Sequence, residues 1–293
     1  MKKIGYILFE IFSRSLALLP KQGIYIFADV LAFIAYYIIG YRKKVVFDNL
    51  TNSFPEKSQK EIKAIAKKFY KHLGDIIVEN IVILNMSLNK VQKFVHVKNI
   101  ELINQMHEKN KNSIALTAHY GNWEFLPTLS PHTKYTTLSV YKPLKNKFFD
   151  RKVYEMRKRF GGIPVPMKSV YKEIVLQQKK GNNYIMGLVS DQCPPKKYIN
   201  YWTTFLNQET PFFTGAEKIA GKFDHAVMLA IVTKKKRGLY EIQFTPLVEK
   251  AADTSEFEIT EKYARTLEKN IRENPAYWLW SHRRWKYKKE DLK

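Results

Sequence analysis

The chain has 293 residues, 45% hydrophobic and 14% aromatic, with 50 Lys and Arg against 27 Asp and Glu for a formal net charge of +23. That supplies a sizeable core and excludes global disorder, while the charge points to a polyanionic partner: nucleic acid, an anionic membrane surface, or an acidic or phosphorylated molecule. The single cysteine, Cys193, excludes an internal disulfide and fits a reducing compartment; no Cys/His cluster of zinc spacing and no Gly-rich phosphate loop implies a metal or cofactor.

Residues 1–41 are the most apolar part of the chain. Ile4 to Leu19 is interrupted by Glu10 and Arg14, four apart and so on one helical face, which suits an amphipathic helix in a membrane interface. Beyond Pro20 to Gly23, Ile24 to Ile39 is apolar except for Asp29 and falls short of the ~20 residues typical of a span. A marginal span, an interfacial hairpin and a buried helix all fit. Met1-Lys2-Lys3 would serve as a signal-peptide n-region, but Glu10 and Arg14 break the apolar run and no small-residue cleavage site follows. Arg42-Lys43-Lys44 fits a cytoplasmic exit. We therefore read residues 1–41 as a helical membrane-anchoring segment and 42–293 as one domain.

Ser58 and Glu61 form the pattern of a capping box, opening a helix with apolar residues at 62, 65, 69, 73, 76 and 77 and with His72 on its face. From about residue 90, short apolar runs alternate with amphipathic stretches. Strands are expected at 113–118, 135–141, 183–190, 225–232 and 239–245. Helices are expected near 99–109, 123–130, 147–160, 168–180, 213–223 and 255–273, with capping boxes at Thr214/Glu217 and Ser255/Glu258. This alternation predicts an α/β fold, a mixed sheet flanked by helices.

The chemistry concentrates at Ala118 to Glu124. His119 and Glu124 stand five apart at a strand-to-helix junction, and a bend at Gly121 lets the two side chains face each other. A carboxylate bonded to one imidazole nitrogen fixes the tautomer and leaves the other nitrogen to take a proton; the same pair also serves as a plain structural hydrogen bond. Lys142 to Arg159 is a basic block ended by Gly161-Gly162, either a solvated helix or an anion site. Asp191 and Gln192 end a strand, where α/β proteins commonly place function. The aromatic loop from Cys193 to Phe213 covers an acyl groove, touches a membrane or packs in the core. The tail from Trp278 to Lys286 interleaves aromatics with cations, as in single-stranded nucleic-acid binding or at lipid headgroups.

Four separated segments resemble one family in order: the apolar anchor with Arg42…Asn49-Leu50…Phe54-Pro55; His119-Tyr-Gly-Asn-Trp-Glu124; Tyr141, Pro143, Leu144 and Asn146 with Arg157, Arg159 and Gly161; and the Trp/His-Arg-Arg tail. The chain looks like the bacterial lipid A biosynthesis (late lauroyl/myristoyl) acyltransferases, and His-x4-Asp/Glu is shared more widely by glycerolipid acyltransferases. The resemblance implies a glycerolipid-acyltransferase-like fold and an enzyme moving a fatty acyl group from acyl carrier protein, or coenzyme A, onto a hydroxyl of a lipid A precursor. It implies His119 as base, Glu124 orienting it and Arg159 assisting, with Tyr141, Asn146, Arg157, Asp191 and Gln192 on the substrate side. It places the protein at the inner membrane with its site on the cytoplasmic face, and it favours lipid headgroups over nucleic acid for the tail. Two other readings remain: transfer to another lipid (a lysophospholipid, aminolipid or glycolipid), and a basic module that binds nucleic acid at a membrane without catalysis.

Overall fold

The computed structural model describes residues 2–292; Met1 and Lys293 lie outside it. In chain order the elements are α1 (Lys2–Leu18), α2 (Lys21–Phe33, continued by a π-helical turn Ile34–Ile38), α3 (Lys43–Ser53), α4 (Gln59–Ile83), α5 (Leu88–Val91), β1 (Val95–Val97), α6 (Glu101–Glu108), β2 (Ser113–Thr117), β3 (Thr136–Tyr141), α7 (Lys147–Arg159), β4 (Ile163–Pro166), α8 (Val170–Lys179), β5 (Tyr184–Val189), β6 (Trp202–Phe205), β7 (Gln208–Pro211), α9 (Gly215–Phe223), β8 (Ala226–Lys236), β9 (Leu239–Val248) and α10 (Glu258–Glu273). Seven strands form one sheet in the order β1-β9-β8-β2-β5-β3-β4, parallel except where β8 meets β9; β6 and β7 make a separate hairpin. This is the α/β mixed sheet expected.

Strand alternation divides the core in two. Ile114, Leu116, Val227, Leu229 and Ile231 point to the side of α3, α8 and α10, where Trp278 and Trp280 also pack. Ala115, Met228, Ala230 and Val232 point to the side of α6 and α7. Because the central strands are covered on both faces, β2 is buried along its whole length. α1 and α2 lie on α4, joined by Leu16, Ile24 and Ala28 against Val78 and Val82. Helix α2 comes so near α4 that a Cβ on Gly74 would sit 2.4 Å from the Ala28 carbonyl oxygen. Ions lock the contact: Arg237, at the turn between β8 and β9, holds Asp29 of α2 at 2.7 and 2.8 Å and Asp75 of α4 at 2.6 and 2.9 Å.

Several expectations need correction. β1, β4, β6 and β7 were not expected; each is three or four residues long, too short for a period to register, and β4 reads Ile-Pro-Val-Pro. The stretch Trp123–His132 is a run of 3₁₀ turns rather than an α-helix, since Pro127 and Pro131 remove the donors an α-helix needs. Ser58 and Glu61 do form the capping box. Thr214 and Glu217 do not: Thr214 bonds Asn200, while Glu217 accepts from the backbone and hydroxyl of Thr260. His72, on the face of α4, is buried against Tyr277.

Candidate active site

The site is made by parallel register. Thr117 of β2 lies opposite Val189 of β5, and the Ser190 N–H continues the ladder to the Thr117 carbonyl. One step further, His119 and Asp191 leave the carboxyl ends of adjacent strands side by side, the customary place for a site in such a sheet. The His119 Nδ1 lies 2.7 Å from Asp191 Oδ1, and the His119 backbone N–H donates to Asp191 Oδ2 at 3.0 Å. Trp278 closes the arrangement: its indole N–H donates to the same Oδ2 at 2.8 Å, and its backbone bridges Tyr120. Gly121 makes the turn possible. It adopts φ +58°, and a Cβ there would fall 1.8 Å from the Val232 carbonyl oxygen, so both backbone conformation and space require glycine.

The electrostatics suit a proton acceptor. Burial opposes charging of the imidazole, but the Asp191 carboxylate, its hydrogen bond and the charge of Glu124 outweigh that, so the His119 pKa is raised. Burial alone would lift the Asp191 carboxyl; the charge and bonds of His119 and the bond from Trp278 hold it below the ordinary value instead. With Nδ1–H donating to Asp191, Nε2 carries the lone pair, and the Gln192 amide nitrogen lies 3.2 Å from it. The Trp123 ring meets the imidazole edge-on at 4.7 Å. His282, bonded by the Cys193 N–H, is pushed down to about 4 by burial and stays neutral near the pair.

The family model of bacterial lipid A biosynthesis acyltransferases matches residues 2–287. The chain belongs to this family. It is 22% identical over 247 residues to the lipid A biosynthesis palmitoleoyltransferase of Escherichia coli (strain K12), covering 84% of this chain and 79% of that protein. The lipid A biosynthesis acyltransferase of Shigella flexneri matches with the same identity and coverage. The chain is thus an acyltransferase, and the binding-module reading falls away.

Within this acyltransferase the residues expected from sequence separate into two groups. His119, Asp191 and Gln192 come together. Glu124 does not bond His119: its carboxylate takes the Arg157 guanidinium at 3.1 and 3.4 Å, which corrects the expectation that it orients the imidazole. It reaches His119 only through its charge. Arg157 lies over the Tyr141 ring at 5.3 Å, so Glu124, Arg157 and Tyr141 form one cluster. Asn146 accepts from the Phe148 N–H and caps α7, which accounts for it structurally. Arg159 bonds the Ile83 and Leu84 carbonyls at the end of α4 rather than His119 or Glu124. The Gly121 N–H is given to the Tyr277 carbonyl and is not free to meet an oxyanion.

Sequence reasoning missed Trp278 as a bond to the site. The tail does not present its aromatics to headgroups: Trp278, Trp280 and Arg284 are buried, and the Arg284 guanidinium lies 4.6 Å from the Phe212 ring. In the aromatic loop Phe205 and Phe212 are core residues as well. Asn49 clamps the tail by donating to the Trp280 and His282 carbonyls, and Arg42 bonds the Ser281 carbonyl. The Arg42…Asn49 segment therefore supports the site from behind. Its spacing in the sequence carried no mechanical signal for this role.

Proposed function

We propose that the chain transfers a fatty acyl group from an acyl carrier protein thioester to a hydroxyl of a lipid A precursor, with His119 as the general base. The carrying observation is the imidazole fixed by Asp191 with its second nitrogen turned away from the carboxylate. An alcohol is a weak nucleophile at neutral pH. As its oxygen attacks the thioester carbonyl, His119 Nε2 takes the proton; as the tetrahedral intermediate collapses and the C–S bond breaks, the same nitrogen returns it to the departing sulfur. Asp191 fixes the tautomer and stabilises the imidazolium, and Glu124 adds a second negative charge nearby. Arg157 is the cation best placed to meet oxyanion charge, being tied to the site through Glu124. The acyl thioester is a co-substrate, and every proton transfer in this scheme is assigned to a side chain.

The surroundings support work at an anionic inner membrane, with the site on its cytoplasmic face. The helix Lys21–Ile38 is long and apolar enough to cross a bilayer. Ile26, Phe33 and Ile38 on it are exposed, as are Ile4, Leu8 and Ile11 of α1. The net charge of +23 favours the acidic carrier protein, a phosphorylated acceptor and anionic lipid together.

The test is transfer by detergent-purified protein from carrier-protein thioesters of several chain lengths to a tetra-acylated lipid A precursor and, separately, to lysophospholipids. We expect transfer to the precursor and its loss in His119→Ala at unchanged thermal stability. Transfer only to the lysophospholipids would replace the acceptor, and an active His119→Ala protein would remove the mechanism.

A further inference from the structure

Helices α1 and α7 face each other across a cleft of about 490 Å³ that contains Arg14, Arg151, Lys152, Glu155 and Arg159, with Asn85 just beyond the end of α4. Two stripes build it. Tyr6, Glu10 and Arg14 recur every four residues on α1, and Arg151, Glu155 and Arg159 recur every four on α7. Glu10 neutralises two of the cations, taking Lys152 Nζ at 2.5 Å and Arg14 at 3.0 Å, and so joins the helices. Among the described residues, Arg151 and Arg159 have no carboxylate in ion-pair contact. Arg159 spends one nitrogen on the Ile83 and Leu84 carbonyls, and desolvation by its neighbours holds it below the ordinary arginine range with nothing anionic to compensate. Glu155 also lines the cleft, yet among the described residues neither guanidinium is ion-paired to it, and two such groups suit an oxyanion that accepts several charge-assisted bonds. The anion's attachment is read from the adjoining surface. Tyr6 lines the cleft and stacks on Phe148 at 5.2 Å, and exposed Ile4, Ile7, Leu8 and Ile11 continue along α1.

From this juxtaposition of cationic cleft and apolar helix face, we propose that the cleft binds the phosphate of an acylated lipid, whose chains lie along α1 and Phe148. The inference rests on the reading above only for which lipid supplies the phosphate. An acceptor held here would have its headgroup fixed by Arg151 and Arg159 while a hydroxyl elsewhere on it reaches His119. A bilayer phospholipid held here would seat α1 in the interface.

The test reads binding, not turnover. Full-length His119→Ala protein in neutral detergent is titrated calorimetrically with three probes: a tetra-acylated disaccharide carrying phosphomonoesters, the same lipid after phosphatase treatment, and phosphatidylglycerol. We expect the phosphorylated disaccharide to bind roughly tenfold or more tightly than its dephosphorylated form, the worth of a hydrogen bond to a charged group. Adding Arg151→Gln and Arg159→Gln should erase that preference at unchanged melting temperature, while Arg151→Lys with Arg159→Lys, which keeps the charge, should retain most of it. Loss confined to phosphatidylglycerol would uphold the phosphate site and assign it to the bilayer. A wild-type cleft blind to phosphate, or Gln variants that bind like the parent, would overturn the proposal; transfer measured separately on unmutated protein tells that failure from failure of the acyl-transfer reading.

Discussion

Replacing Asp191 by asparagine tests whether this carboxylate, rather than Glu124, sets up the base. Asp191 is 2% exposed and accepts three bonds, from Trp278, from the His119 backbone and from His119 Nδ1. Asparagine keeps the volume, but its NH₂, if turned to the backbone or indole N–H, leaves a buried group unsatisfied at about 1–3 kcal/mol. If the NH₂ turns to Nδ1, the ring switches tautomer and the proton settles on Nε2, the nitrogen the reaction needs empty. Loss of general-base help then lowers kcat/KM by about 10²–10⁴, or roughly 3–5 kcal/mol at about 1.36 kcal/mol per tenfold. The pH dependence has a definite sign. In the wild type His119 titrates above its ordinary value, so activity falls as pH drops through that raised pKa. Without Asp191, burial dominates and the acidic limb of the residual activity moves to lower pH. Stability follows the same linkage. The raised His119 pKa stabilises the fold fully below about pH 6.5, and this is lost as pH rises through the folded value; the lowered Asp191 pKa stabilises it above about pH 3.9, and this is lost as pH falls through the folded value. The difference in melting temperature between wild type and variant should therefore be largest near pH 5 and smaller at pH 8. A kcat/KM profile of Asp191→Asn that overlays the wild type would refute the pairing.

Two further substitutions separate the remaining roles. Glu124→Gln removes the carboxylate charge that faces Arg157 but leaves His119 and Asp191 joined, so kcat/KM should fall by roughly 10–100-fold, the worth of a hydrogen bond to a charged group, with the acidic limb moving less than in Asp191→Asn. A larger limb shift for Glu124→Gln would return the orienting role to it. Gly121→Ala adds a left-handed conformational penalty of about 1–2 kcal/mol and drives a Cβ into the Val232 carbonyl. A drop of several degrees in melting temperature, with loss of activity, is the expected outcome; a wild-type melting curve would show that the turn is free to relax.

The reach of local pattern is visible in particular residues. The central strands and α4, α7 and α10 were legible because their apolar spacing persists over several residues, and Ser58 and Glu61 because a capping box is completed within one turn. Thr214 and Glu217 carry the same letters, yet the glutamate is claimed by Thr260, forty-three positions away. The tail shows a similar override: alternating aromatics and cations resemble a surface, but Trp280 is buried against Asn49 of α3 and Arg284 against Pro211 and Phe212. By itself the sequence determined the α/β class, the family resemblance and the position of His119, each encoded in short-range spacing. Only the tertiary structure decided the imidazole's partner. His119 and Asp191 lie 72 positions apart and meet because β2 and β5 run parallel with Thr117 opposite Val189, whereas the carboxylate of Glu124, five positions away, is taken by Arg157.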